Sequence, residues 1–364
     1  MWYLPRPNYK TAEVRNAGII LGQKIDESKS NDPEVTQAFN IFNDFRQSHM
    51  YPLGMCRNEA NRILKNLDVH GDVATRLKRI ATIRRKLSGG NPFKLDRIRD
   101  IAGARIIVDS LSDLRKVTQV YLKGDCSYQV KKNIDYISHP QAGGYRSHHV
   151  VLSHPEGIGT DRDQHFGQNI ELQIRTHNQH IWATACEGVG FLHGLSYKHE
   201  LFKHMSYILA SKDGLPVDGL SDHIAAIQNI AKKLDAVKEL HMARRMAVTP
   251  SIYGDGWVLL NYDEDRENPT IVDYFEVYNE AVEKYINAER INLNTNTVLI
   301  GLSSGFKLRD AYPNYFIDLL EFNEVLKECL TGKRIFALGG ITKYARDAVK
   351  SFTKDSKFIS PRKR

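Results

Sequence analysis

Glu171, Gln173 and Arg175 alternate with Leu172 and Ile174 in the stretch NIELQIRT. On a strand, this period of two sets an acid, an amide and a base on one face and the aliphatic residues on the other. A charged inner face is costly unless something uses it. Upstream, DYISHPQAGGYRSHHVVL joins a turn-forming stretch to a short β-branched run. Pro140, Gly143 and Gly144 bend that stretch and set Tyr145, Arg146, Ser147 and His149 at the mouth of a strand, where a ligand can be held. Earlier still, DVATRLKRIATIRRKL contains Arg76, Lys78, Arg79, Thr82, Arg84, Arg85 and Lys86. Six bases within eleven residues must partly converge, and a polyphosphate would neutralise them. The plainer alternative is a solvated basic face. Asp100 stands before Ile101-Ala102-Gly103-Ala104, small residues that let backbone or ligand approach closely.

The elements that must position these residues follow from periodicity. PEVTQAFNIFNDFRQ reads as a helix, Tyr51-Pro52-Leu53-Gly54 as a break, and Asn58 to Leu67 as a second helix. Asp72 to Leu87 reads either as a helix or as a strand with a turn, Ser88 to Pro92 as a flexible loop, and RIIV as a buried strand. Ser110 to Lys123 forms a helix, with Leu111, Leu114, Val117, Val120 and Tyr121 inward; QVKKNID, HHVVL and IELQI are strands. HNQHIWATACEGVGFLHG is a helix packing Ile181, Trp182 and Ala185, and residues 199–248 are helical apart from a break at Pro216 and Gly219, more strut than site. From Pro250 a small α+β unit follows, with WVLLNY, TIVDYF and NTVLIGL as strands, EVYNEAVEKYINAE as an acidic helix, and a helix from Tyr315 to Leu330.

With 364 residues and 41% hydrophobic content the chain can fill two or three ordinary cores. It has no run of about 18 apolar residues and no apolar signal-peptide core, which points to a cytoplasmic protein without a membrane segment. Cys56, Cys126, Cys186 and Cys329 are scattered without a CxxC pair, arguing for reduced thiols rather than disulfides or a thiolate metal site. Ten of the fourteen histidines fall between His139 and His204, but without metal-ligand spacing they read as hydrogen-bonding or substrate-contacting groups. Charge is local: +8 over Thr75–Arg105, −8 over Asp255–Glu289 and +8 over Lys333–Arg364, so the tail carries the whole net excess of +8. The tail is compatible with a weak tRNA or ribosome contact, or with a solvated end. The acidic stretch could cover the basic one as an internal inhibitor, or be a solvated acidic helix.

RLKRIATIRRKL with DIAGARIIV, then DYISHPQAGGYRSHH, then ELQIRT with QHIWATACE occur in an order that resembles the synthetase domain of the RelA/SpoT alarmone family, over roughly Ser48 to Val189. The resemblance implies an α+β fold, with a mixed, mainly antiparallel sheet flanked by helices. It also implies transfer of the β,γ-pyrophosphate of ATP to the 3′-hydroxyl of GDP or GTP, making (p)ppGpp and releasing AMP. By motif position, Arg76 and Arg105 would flank adenine, and Lys78, Arg79, Thr82 and Lys86 would meet the ATP phosphates or ribose. Asp100 and Glu171 would be the Mg2+ carboxylates, with Glu171 also placed to take the hydroxyl proton. Tyr145 would stack on the acceptor base, and Ser147, His149, Gln173 and Arg175 would orient its ribose and phosphates. No hydrolase motif of the family is present in the sequence.

The resulting division is an N-terminal helical extension (1–48), the synthetase-like domain (49–195), a helical connector (196–249), a C-terminal α+β module (250–332) and a basic tail (333–364). The long form resembles synthetase-only relatives with a C-terminal module, and an oligomer is compatible with it. The acceptor loop departs from the family pattern, with Gln141 where a Lys is expected and Gly143 where Asn or Ser is usual. That departure admits an alternative: a toxin-type or phage-defence relative that modifies a tRNA 3′ end or an adenine nucleotide and is restrained by its C-terminal module. A catalytically dead binding protein is the remaining reading. Replacing Gln141 with Lys is predicted to improve use of GDP or GTP, read as a lower KM for the guanine nucleotide; an unchanged KM would remove the significance of this position.

Overall fold

The computed structural model describes residues 9–23, 32–78, 80–88, 94–156, 165–193, 199–234, 256–262, 270–277, 280–281, 283–285, 288, 296–302 and 320–332. Arg79, most of the Ser88–Pro92 loop, much of the acidic helix, the start of the helix expected from Tyr315 and the whole basic tail lie outside the described residues.

A five-stranded sheet is the centre of the fold. Its strands are β1 (Gly71–Leu77), β2 (Ala102–Val108), β3 (Gln129–Asp135), β4 (His148–Ser153) and β5 (Asn169–Thr176), in the order β1-β2-β5-β4-β3. Only the β2–β5 pair is parallel; the other neighbours are antiparallel, giving the expected mixed, mainly antiparallel sheet. Asp72–Leu87 resolves as strand β1 followed by helix α4 (Ile80–Leu87). β2 starts three residues before the expected RIIV strand, because the small segment Ala102–Ala104 pairs with both neighbours.

The two faces of the sheet separate by side-chain period. Ala104, Ile106, Leu152, Leu172 and Ile174 join Leu53, Ala60 and Ile63 of helix α3 (Met50–Asn66) and Leu114, Val117 and Tyr121 of helix α5 (Leu111–Lys123) in one core. Helix α3 corrects the expectation of a break at Tyr51–Gly54. Pro52 falls in its first turn, where a missing N–H costs nothing, so the helix runs through to Asn66 and the chain turns instead at Ser48–His49. Ser110 caps α5, its hydroxyl accepting from the Asp113 amide at 3.1 Å.

Two further cores flank the polar face. Helices α1 (Thr11–Gly22) and α2 (Pro33–Gln47) pack Ala17, Leu21, Phe39 and Phe42 against Ile83 and Leu87 of α4 and against Leu95, Ile98 and Ile101, which precede β2. Arg15 binds Asp96 with paired contacts of 3.0 and 2.9 Å. The other core joins α6 (His177–His193), α7 (His199–Lys212), α8 (Leu220–Leu234) and a C-terminal helix, α9 (Leu320–Thr331). Phe202 stacks on Phe322 at 5.2 Å, and Lys212 pairs with Glu328 at 2.7 Å. Thus α9, expected to belong to the C-terminal unit, shares a core with the helices beside the sheet.

The C-terminal strands β6 (Gly256–Tyr262), β7 (Thr270–Phe275) and β8 (Asn296–Leu302) form their own antiparallel sheet in the order β7-β6-β8. Trp257 and Ala281 of this unit pack with Met50 at the start of α3. All four cysteines are free thiols, and among the described residues no helix is long and apolar enough to cross a membrane. Phe42 is 0% exposed between α2 and its neighbours. Phe42→Ala is expected to cost about 3–5 kcal/mol, measured as a shift in the urea midpoint.

Candidate active site

The parallel register of β2 and β5 sets Gly103 beside Glu171 and Arg105 beside Gln173, and the antiparallel register of β4 sets His149 beside Gln173. These residues share the face turned away from the α3–α5 core. On the outer strand, Arg76 pairs with Gly103. A Cβ on Gly103 would meet only Arg76 atoms, at 3.8 and 3.9 Å, so the floor between Arg76 and Glu171 is open.

At one end of this face, Asp100 precedes β2 and is gripped by two lysines. Lys78 Nζ pairs with its Oδ2, and Lys86 Nζ reaches Oδ1 and Oδ2 at 3.0 and 2.8 Å. The cluster is built by short-range geometry: Lys78 follows β1, Lys86 sits on α4, and Arg46 Nε donates to the Lys78 carbonyl at 2.7 Å. Burial works to raise the Asp100 pKa, but the two ammonium groups outweigh it and hold the carboxyl below its ordinary range. Lys78 is depressed by its own burial despite Asp100. Thr82 is half-buried on α4.

At the other end, five side chains close a ring. Gln173 Nε2 donates to Glu171 Oε2 at 3.1 Å, and Arg175 Nη2 donates to Gln173 Oε1 at 2.6 Å and to Tyr145 Oη at 2.7 Å. Tyr145 Oη lies 2.6 Å from His149 Nε2, and His149 Nδ1 is 3.4 Å from Glu171 Oε1. Because the phenol accepts from Arg175, its own proton is directed to Nε2, which leaves the Nδ1 proton facing Glu171. Burial raises the Glu171 pKa, but the hydrogen bond and charge of His149 and the bond from Gln173 outweigh it and keep the carboxyl below its ordinary 4.5. Asp100 opposes that lowering by its charge, so the two carboxylates sense one another across the face.

Between the ends lies a cationic pair. Arg105 is pushed down to about 9 by burial, with Arg175 and Arg76 adding to the effect and Glu187 opposing it. Arg105 Nε and Arg175 Nε and Nη1 are buried without hydrogen-bond partners. Such donors are costly to leave unmet, and an anionic ligand would meet them.

The structure therefore brings Lys78, Lys86 and Asp100 together, gathers Tyr145, His149, Glu171, Gln173 and Arg175 into one network, and puts Arg76 and Arg105 on the strands between. Ser147 stands apart: it is fully buried, and its hydroxyl donates to the Ile174 carbonyl at 3.3 Å. Sequence reasoning missed Tyr136, whose ring is edge-on to Tyr145 and His149 at 5.8 and 5.1 Å. It also missed His180, buried near Arg105 and Arg175 and held neutral by burial and by their charges. The clue for Tyr136 was its place directly after a strand and before the glycine loop; His180 had no distinctive signal. Gln141 is exposed at the loop, with its amide donating to the Tyr145 carbonyl at 3.2 Å. Among the described residues no group of three or more His, Cys, Asp or Glu could hold a metal by itself. Two carboxylates on one face, with substrate phosphates completing the shell, do fit a hard divalent cation.

Asp213, after α7, accepts from Thr176 Oγ1 at 2.6 Å and Asn178 Nδ2 at 2.8 Å, and burial raises it from 3.8 to about 6. Between those values the folded state keeps a proton that the unfolded chain has released, so this group lowers stability as pH rises through the window. Asp213→Asn is expected to remove that part of the decline, read by comparing urea midpoints at about pH 4 and about pH 7 with those of the parent chain.

Residues 75–201 match the family described as the region found in RelA / SpoT proteins. GTP pyrophosphokinase YwaC of Bacillus subtilis is 38% identical over 89 residues, covering 24% of this chain and 40% of the relative. GTP pyrophosphokinase YjbM of the same organism is 31% identical over 129 residues, covering 35% of this chain and 56% of the relative. The chain thus spans about half the length of these curated relatives. The crystal structure of small alarmone synthetase 1 from Bacillus subtilis bound to its product pppGpp aligns with a TM-score of 0.42 and 22% identity, covering 48% of this chain and 94% of that one. All the candidate site residues from Arg76 to Arg175 lie inside the matched segment.

Proposed function

We propose that this chain is a pyrophosphokinase that moves the β,γ-pyrophosphate of ATP as a unit to the 3′-hydroxyl of GDP or GTP. The observation that carries the proposal is the common sheet face on which a lysine-gripped Asp100 and the Tyr145–His149–Glu171–Gln173–Arg175 ring meet at Gly103 and Glu171. In the reaction the 3′-oxygen bonds to the β-phosphorus and the bond from that phosphorus to the α,β-bridging oxygen breaks, so AMP leaves with the bridging oxygen. Little covalent chemistry falls to the protein, which must position two nucleotides and balance charge.

Lys78, Lys86, Arg79 and Thr82 serve the triphosphate, and Arg76 and Arg105 take the adenine side. The lysines that grip Asp100 without ligand are the groups that can turn to phosphate oxygens when ATP enters. Mg2+ held by Asp100 and Glu171 together with ATP phosphates would supply positive charge where the bridging oxygen gains electrons. Tyr145 offers its ring to the acceptor base, with Tyr136 and His149 fixing its plane. Gln173, Arg175 and His149 orient the acceptor ribose and phosphates, and Ser147 anchors the strand beneath them. Glu171, ionised at neutral pH, accepts the 3′-hydroxyl proton as the new bond forms.

The test supplies purified chain with γ-labelled ATP, Mg2+ and GDP or GTP, and follows the label. Label in a guanosine tetra- or pentaphosphate with equimolar AMP is the expected result; label released only as free phosphate would overturn the reading. Glu171→Gln keeps the size and one acceptor oxygen and is expected to lower kcat by about 10²–10⁴-fold.

A further inference from the structure

Helix α7 begins at His199, two residues before the end of the RelA/SpoT match at residue 201, so Ser206 and Asp213 lie outside it. Both nevertheless hold the acceptor half of the site. Ser206, 3% exposed, donates its hydroxyl to the carbonyl of Gly144. Gly144 has φ 93°, a conformation that side chains rarely adopt, and a Cβ there would sit 2.7 Å from Ser206 Cβ. The loop is closed by Gly144 N to Gln141 O at 2.7 Å and Gln141 N to Tyr145 O at 3.2 Å, so a fixed Gly144 fixes Tyr145. The same helix takes the Trp182 indole proton on the Phe202 carbonyl at 2.6 Å, and Trp182 packs against Tyr145. Just beyond its end, Asp213 accepts from Thr176, which follows Arg175 directly, and from Asn178 in the first turn of α6.

We infer that α7 with Asp213 is a splint that sets the spacing between Tyr145 and Arg175, and that Ser206 is a positioning residue for the acceptor nucleotide and not for ATP. The splint holds the loop through Ser206 and the end of β5 through Asp213, and the 2.7 Å bond between Arg175 and Tyr145 depends on that separation. In the lysine–Asp100 cluster Lys78 follows β1, Lys86 sits on α4 and Asp100 precedes β2, and among the described residues no hydrogen bond joins the cluster to Ser206. The part of the inference that concerns the acceptor rests on the pyrophosphokinase reading; the part that concerns the loop does not.

The test uses the full chain with Ser206→Ala, a substitution that suits a helix interior and removes only the hydroxyl. Hydrogen–deuterium exchange at the amides of Gln141 and Gly144 is expected to speed up by about tenfold, with β2 unchanged, as one hydrogen bond is lost. In steady state, KM for GDP or GTP is expected to rise by about tenfold while KM for ATP stays within about twofold. Unchanged exchange in the loop would overturn the inference. So would a parallel rise of both KM values, which would make α7 a general support of the domain. If the parent chain makes no guanosine polyphosphate, the pyrophosphokinase reading fails, and the exchange measurement still decides whether Ser206 fixes the loop.

Discussion

The parallel pairing of β2 with β5 is the constraint on which the rest depends. It sets Gly103 next to Glu171 and Arg105 next to Gln173, so one sheet face receives cations, carboxylates and an open patch of floor within a few residues. On the reverse, Ala104, Ile106, Leu172 and Ile174 are buried in the α3–α5 core. A sheet with one oily and one charged face settles its own register. A slip of one residue would bury Glu171 and Arg175 in hydrocarbon.

The charged face is held ready before any ligand arrives. Asp100 is paired with Lys78 and Lys86, and Glu171 is held by His149 and by a hydrogen bond from Gln173, while Arg105 and Arg175 keep buried guanidinium donors unmet. That imbalance disfavours the folded state locally and favours an anionic ligand. Preorganised charge of this kind need not be rearranged at the moment of reaction. The tyrosine at the centre of the ring contributes its hydroxyl to the network, and its ring plane is set by Tyr136 and His149.

Three cores converge on the site and each fixes a different part. The N-terminal helices with α4 hold Lys86 and the turn before β2; the α3–α5 core holds the sheet; the α6–α9 core holds the glycine loop through α7. The two sides of the site therefore rest on separate packing units. Local opening of one unit can loosen one substrate position with little effect on the other.

The strands HHVVL, IELQI and QVKKNID, helix α2 and helix α5 were all legible, because local periodicity is a property of a few adjacent residues. The alternation of Glu171, Gln173 and Arg175 was equally local, and it announced a charged face. Pro52 misled the reading, since a proline ends a helix or starts one according to a position in the turn that the sequence does not print. The partners of Asp100, the closure of the ring through Tyr145 and His149, the burial of Ser147 and the hold of Ser206 on Gly144 were decided only by the tertiary structure. Those contacts join residues up to 62 positions apart, and which of them meet depends on strand order and helix packing across the whole domain. The sequence by itself determined which residue types line the face; the parallel β2–β5 pairing decided which of them touch.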